Sequence, residues 1–233
     1  SLPEGFDVGA AGQVWPSTLL GATAREPSEP IDAVYTWVNS RDPAWRRAYE
    51  QHHGREIDED RYASRDELRY SLRSLHYYCD WVRKIHIVSN CAPPPWLDVT
   101  HDRITWIPHE QVLRAENLPT FNCHAIETGL LNIPDLSERF LYLNDDFFVM
   151  RPLRRRTFFD EAGRSCAFLE PAGTLVPGHP EQGEGWIDAR LNAQRFLLDR
   201  YGYAATRIAQ HAPYAVNRSE ARQMFAELGA AVD

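Results

Sequence analysis

The chain has 233 residues, 43% of them hydrophobic and 25% charged, with a formal net charge of −8. Such a composition can bury a sizeable core, and the acidic balance argues against a general nucleic-acid binder, whose footprint is a basic face. A small anionic ligand stays open, because local arginines or a bound cation override the mean field.

No apolar run approaches the roughly 20 residues of a membrane span, and no secretory signal pattern stands out. The cysteines, Cys79, Cys91, Cys123 and Cys166, have no C-x-x-C spacing, so neither a zinc knuckle nor a redox pair is indicated. Their low number fits a reducing compartment, with a Cys79–Cys91 bridge left open. The seven tryptophans suit either core packing or sugar-facing platforms.

In chain order, residues 1–30 are rich in Gly, Ala, Pro and Ser and read as an extended arm over the surface. "IDAVYTWVN", 31–39, is dense in β-branched and aromatic residues and reads as a strand. Asp42 is placed as an N-cap and Pro43 as a first helical residue, predicting a helix over 43–51. A polar loop covers 53–63. Ser64 and Glu67 then have capping-box spacing, and the helix behind them carries Leu68, Leu72, Leu75 and Cys79 on one stripe. Arg69 and Arg73 fall together on another face, one turn after Arg65.

Residues 84–89 and 103–107 read as strands, 109–115 and 122–132 as helices, and "RFLYL", 139–143, as a further strand. Beyond Met150, "SCAFLE" reads as a strand, 170–185 as a Gly/Pro-rich loop or lid, and 187–200 as a helix. "NRSE" opens a last helix with Asn217 as cap and Glu220 in the reciprocal position. Strands alternating with helices predict one α/β domain over 31–233 with a mainly parallel sheet.

Within "RFLYLNDDFFVM" the polar residues Asn144, Asp145 and Asp146 interrupt an apolar run. In an open α/β sheet, ligands bind beyond the carboxyl ends of strands, where this triplet falls. Two adjacent carboxylates either cap a solvated turn between strands or share a cation that relieves their repulsion. The apolar flanks favour the cation, and hard oxygen ligands favour Mg²⁺ or Mn²⁺.

Arg69 and Arg73 suit bidentate phosphate contacts, or form a solvated face with Asp66 and Glu67. Asn122, His124 and Glu127 surround a helix start, which favours an anion, although a cap and a surface acid explain them equally. His211, ahead of a proline-fixed turn, is placed to accept a hydroxyl proton; a lone histidine also serves purely structural roles. His52, His53, His101 and His109 read as surface residues. There is no G-x-x-x-x-G-K-[ST], G-x-G-x-x-G, G-x-S-x-G or H-E-x-x-H pattern.

Several segments together resemble the Stealth family. "IDAVYTWVNSRDPAW" is similar to its opening motif, "RDELRYSLRSLHYYCDWVRKIHIVSN" through "LPTFNCHAIETGLLNIPDLSERFLYLNDDFFV" to its long second motif, and "HAPYAVNRS" to its third. That family contains bacterial capsular-polysaccharide sugar-1-phosphate transferases and the catalytic subunit of the animal enzyme that builds the mannose-6-phosphate tag. The resemblance implies a GT-A-like (Rossmann-like) nucleotide-sugar transferase domain. Its activity would move a hexose- or N-acetylhexosamine-1-phosphate from a UDP-sugar to a hydroxyl of a glycan or polysaccharide acceptor, with UMP leaving and Mg²⁺ or Mn²⁺ assisting.

It further implies Asp145 and Asp146 as metal ligands, with Asp145 central to catalysis. Trp37, Asn39 and Asp42 would line the nucleotide site. Arg69, Arg73, Asn122 and Asn144 would face phosphates or sugar, with Glu127 in support, and His211 would be the base. The setting implied is cytoplasmic, with peripheral association at the inner face of the membrane allowed and oligomeric state open. The family's fourth motif, with another Asn-Asp pair, has no counterpart here, and a piece of a longer chain is the simplest account. A plain glycosyltransferase releasing UDP and a UDP-sugar-binding module without turnover are the rival readings.

Overall fold

The computed structural model describes residues 6–8, 14–16, 26–170, 185–202 and 207–229. The chain divides into two compact units: residues 25–166 with 213–233, and residues 1–24 with 167–212. In the first unit a five-stranded sheet contains β3 (Ile31–Thr36), β4 (Val82–Val88), β5 (Ile104–Ile107), β6 (Arg139–Asn144) and β7 (Tyr214–Asn217). β1 (Phe6–Val8) and β2 (Val14–Pro16) belong to the second unit and pair antiparallel, so part of the expected arm is a strand ladder.

The five-stranded sheet has the order β5-β4-β3-β6-β7. Four strands are parallel and β7 runs antiparallel to β6. This is the expected α/β architecture with a mainly parallel sheet, consistent with a GT-A-like fold. β3 explains why such a sheet needs cover on both faces: Ile31, Ala33, Val34 and Tyr35 are fully buried, a near-continuous apolar run of the parallel kind.

Opposite parities along β3 face opposite layers. Val34, Phe140 and Tyr142 join Leu131, Ile133 and Leu136, with Phe225 of α6 (Arg218–Leu228) packed against them. On the other face the Tyr35 hydroxyl meets Ser71 Oγ at 2.9 Å. Ser71 lies on α3 (Glu67–Tyr78), whose Leu68, Leu72 and Leu75 are buried together with Cys79, the predicted stripe.

The helix expected at 43–51 is α1 (Pro43–His53), capped by Asp42 and ending at Gly54, whose φ of 63° suits a residue without Cβ. The polar loop after it contains a short helix, α2 (Glu59–Tyr62). α3 does not start from a Ser64 cap. Its N-cap is Asp66, at φ 65°, and Glu67 turns back to accept from Ser64 Oγ and the Arg65 N–H. The helix expected at 109–115 is two separate 3-10 turns, and that at 122–132 is α4 (Cys123–Gly129) followed by another. His109, expected at the surface, is 4% exposed.

"FFVM" is not a strand. Phe147 N–H closes a turn on Asn144 O, Ser71 Oγ donates to Phe147 O, and Val149 N–H donates to Ser74 Oγ. The segment's backbone groups are satisfied by α3 side chains instead of a sheet neighbour. "SCAFLE" likewise makes only the isolated bridges Phe159–Ser165 and Leu169–Ala209. In the second unit α5 (Gly185–Tyr201) buries Ile187 and Leu191 against Ile208. Most of the loop or lid expected at 170–185 lies outside the described residues. α6 opens as expected, with Asn217 Oδ1 accepting from Glu220 N–H. Cys79, Cys91, Cys123 and Cys166 are not in disulfides, so there is no Cys79–Cys91 bridge.

Candidate active site at the carboxyl edge of the sheet

The register aligns Thr36, Val88, Ile107 and Asn144 across the carboxyl ends of the four parallel strands. The chain leaves β3 toward β4 on one side, whereas β6 lies on β3's other side. β3 and β6 therefore flank the point where the strand order reverses, the usual ligand position of a doubly wound sheet. Trp37, Asn39 and Asp42 follow β3 and Asp145 and Asp146 follow β6, so the fold brings two of the resemblance's residue groups to one edge.

Asp145 is half-buried and Asp146 exposed, in the turn after β6. Burial, reinforced by the nearby Asp146 and Glu67 carboxylates, pushes the Asp145 carboxyl up to about 6. Asp145 in turn adds to the burial that raises the Tyr35 hydroxyl above its ordinary range. The chief electrostatic neighbours of Asp145 are thus acids, an arrangement that a cation would relieve. Asp145 and Asp146 do not gather a third His, Cys, Asp or Glu ligand atom within 4.8 Å among the described residues.

On the other face a hydrogen-bond chain runs from β3 to α4. Tyr142 OH donates to Glu127 Oε1 at 3.0 Å, and so accepts from Thr36 Oγ1 at 3.1 Å. Burial, and then Glu127, hold the Tyr142 hydroxyl above its normal range, which keeps it a donor. Glu127 Oε2 lies 3.4 Å from His124 Nδ1. Cys123, His124 and Glu127 bring one ligand atom each to within 4.8 Å of one another.

Other expected residues have clear local duties. Asp42 accepts from Ala44 and Trp45 N–H through Oδ1 and from Ala92 N–H through Oδ2, tying the loop after β4 to the start of α1. The Ala92 bond leads the effects that hold its carboxyl below the usual range. Asn39 Oδ1 accepts from Arg41 N–H, and its own N–H meets Cys91 Sγ at 3.2 Å. Trp37, 9% exposed, packs edge-on to Trp106. The guanidinium of Arg69 lies over the Trp96 ring at 5.9 Å, whereas Arg73 is exposed. Asn122 caps α4 by accepting from His124 N–H. His211 is exposed and belongs to the second unit, three residues before β7.

Thr36, Tyr142 and Glu67 were not among the expected site residues. In sequence Glu67 reads as a capping acid or as part of a solvated face with Asp66, and Tyr142 and Thr36 read as strand positions. The available signal is the place of Thr36 and Tyr142 near the carboxyl ends of β3 and β6, and of Glu67 at the start of α3, which becomes meaningful only once β3 and β6 are neighbours.

Fold and site together define a Rossmann-like α/β protein with an acidic edge at its switch point. Two family models match: Stealth protein conserved region 1 over residues 29–55 and conserved region 2 over residues 61–167. The chain belongs to the Stealth family. It is 44% identical over 196 residues to exopolysaccharide phosphotransferase SCO6023 of Streptomyces coelicolor, covering 82% of this chain and 33% of that protein. It is also 40% identical over 188 residues to capsular polysaccharide phosphotransferase SacB of Neisseria meningitidis serogroup A, covering 78% of this chain and 34% of that protein. The chain thus spans about a third of the length of these relatives. Among the described residues, no helix is long and apolar enough to cross a membrane.

Proposed function

We propose that this chain carries the donor-binding core of a sugar-1-phosphate transferase in capsular or cell-surface polysaccharide synthesis. It would take a hexose- or N-acetylhexosamine-1-phosphate from a UDP-sugar and place it on a glycan hydroxyl at the cytoplasmic side of the membrane. The observation that carries this is the half-buried Asp145, set by the fold at the sheet's switch point with Asp146 and Glu67 as its acidic neighbours. The names of its polysaccharide phosphotransferase relatives support the reaction class.

Asp145 and Asp146 are the residues that would hold Mg²⁺ or Mn²⁺, and the fit rests on an oxygen donor set whose mutual repulsion needs a positive charge. Such a cation would supply charge neutralisation on the donor diphosphate. The chain's own groups would do the positioning. Arg69, braced on Trp96, is suited to a phosphate oxygen, and Glu127, fixed by Tyr142, to accept from a sugar hydroxyl in support. Trp37, Asn39 and Asp42 shape the loop for the nucleotide.

In the step itself the acceptor oxygen forms a bond to the phosphorus attached to the sugar. The bond from that phosphorus to the UMP oxygen breaks, with UMP taking the electron pair. The acceptor proton passes to a general base, the role for which the family resemblance offers His211. Orientation and charge neutralisation would supply most of the rate.

The test is incubation with a panel of UDP-sugars, Mg²⁺ and a glycan acceptor, followed by identification of the released nucleotide. UMP supports the proposal. UDP makes the protein a glycosyltransferase, and metal-dependent UDP-sugar binding with neither product makes it a binding module. His211→Ala is expected to slow transfer while sparing UDP-sugar binding; lost binding would move His211 to the donor site.

A further inference from the structure

We propose that Cys123, His124 and Glu127 form a binding site for a thiophilic divalent cation of the Zn²⁺ type, separate from the acid pair after β6. All three lie on the short helix α4, Cys123 and Glu127 one turn apart, and His124 three residues before Glu127. Their ligand atoms already lie within 4.8 Å of one another. Tetrahedral zinc with bonds of about 2.0–2.3 Å needs its ligands roughly 3.3–3.8 Å apart, so small side-chain rotations close the set.

A second feature prepares the site. The buried Tyr142 hydroxyl holds Glu127 through Oε1, and Oε2 is the oxygen near His124 Nδ1, at 3.4 Å. Thr36 holds that hydroxyl in turn. This is an outer shell of the kind that orients a metal-binding carboxylate. Asn122 fixes the first turn of the helix by accepting from the His124 N–H, which sets where the imidazole starts. Cys123 and His124 are exposed, so an ion has an entry path and a fourth position for water or a ligand.

The chemistry separates the two sites. A sulfur, nitrogen and oxygen donor set selects Zn²⁺ over Mg²⁺, whereas Asp145 and Asp146 offer only hard oxygens. Binding itself does not depend on the proposed transfer reaction. Its consequence does: zinc on Glu127 withdraws that carboxylate from the donor, so micromolar Zn²⁺ inhibits turnover supported by Mg²⁺.

The experiment is titration of the whole chain with Co²⁺ in place of zinc, followed by absorption. A thiolate-to-cobalt charge-transfer band at one equivalent, lost on addition of Zn²⁺, is expected. Cys123→Ser abolishes the band, Tyr142→Phe weakens Co²⁺ affinity by about 10-fold or more, and Asp145→Asn leaves band and affinity unchanged. Cys123 is exposed, so its serine variant keeps the circular dichroism of the parent. No band in the parent overturns the proposal. So does a band that survives Cys123→Ser, which would come from Cys79, Cys91 or Cys166, or one unaffected by His124→Ala. Because the readout is absorption, an absence of sugar-phosphate transfer leaves this test intact.

Discussion

Tyr142 donates its hydroxyl proton to Glu127 Oε1 at 3.0 Å, across the gap between the central sheet and α4. Thr36 completes the line from the neighbouring strand at 3.1 Å. The contact joins the end of β6 to α4, whose Cys123, His124 and Glu127 bring their ligand atoms within 4.8 Å of one another, and it makes the position of Glu127 a property of the sheet.

Tyr142→Phe removes that donor and leaves Glu127 and Thr36 facing an apolar ring edge. We expect a stability loss of about 0.5–1.5 kcal/mol, the net worth of a hydrogen bond between part-buried groups. We also expect a fall of roughly tenfold or more in donor turnover. Urea unfolding and nucleotide release measure the two separately. An unchanged turnover in a well-folded variant would remove Glu127 from the site.

Asp145→Asn should separate function from stability. A carboxyl raised to about 6 by burial, Asp146 and Glu67 opposes folding at pH 7. Its folded value lies above the unfolded one of about 3.9, so the folded state binds the extra proton between them, and stability falls as pH rises through that window. The amide removes this term. The variant is expected to melt higher than the parent at pH 7 without metal, while losing metal-dependent turnover. A lower melting temperature would show that Asp145 stabilises the turn instead.

Asp32 presents the opposite case. It is fully buried at the start of β3 and accepts from Arg83 Nε at 2.9 Å and Nη2 at 2.7 Å, and from the Lys84 and Ser137 N–H groups, with His86 Nε2 at 3.2 Å. Burial alone would raise its carboxyl, but hydrogen bonds from His86, Arg83 and Ser137 outweigh it and hold the group far below the usual range. Asp32→Ala should cost about 3–5 kcal/mol at pH 7 by stranding the partners. The unfolded chain binds the proton first, so this stability is present above about pH 4 and is lost as pH falls below it. Urea midpoints of parent and variant should converge on acidification.

Gly129 ends α4 where a Cβ would come 2.6 Å from Leu113 Cδ2 and 2.9 Å from Val112 O. A side-chain methyl can shift, but the carbonyl is fixed by Asn132 Nδ2 at 2.9 Å. Gly129→Ala should therefore cost about 1–3 kcal/mol. It should also disturb Glu127, two residues earlier, so turnover should fall alongside stability. An alanine variant with parental melting would mean the 112–113 segment yields freely.

Much of this protein was legible from local pattern. The α3 stripe, the Asp42 and Asn217 caps and the alternation of strands with helices all depend on neighbours within a few residues, which is why they hold. The acid pair stood out for the same reason, as charge inside an apolar run. "FFVM" shows where such reading stops. Phe147 and Val149 are buried and Phe148 and Met150 exposed, a strand-like alternation, yet no strand pairs with it because α3 supplies its hydrogen bonds. His109 carries no mark in sequence of the burial that also lowers its imidazole's proton affinity.

By itself the sequence determined the class of fold, the place of Asp145 and Asp146 at a strand's carboxyl end, and the family. Only tertiary structure decided what those acids meet. The charge of Glu67 acts on Asp145 across 78 positions of chain, and Thr36 bonds Tyr142 across 106. Such meetings follow from β6 docking beside β3 and α3 crossing one face. They are set by burial of whole layers, a sum over many residues that no short stretch of sequence contains.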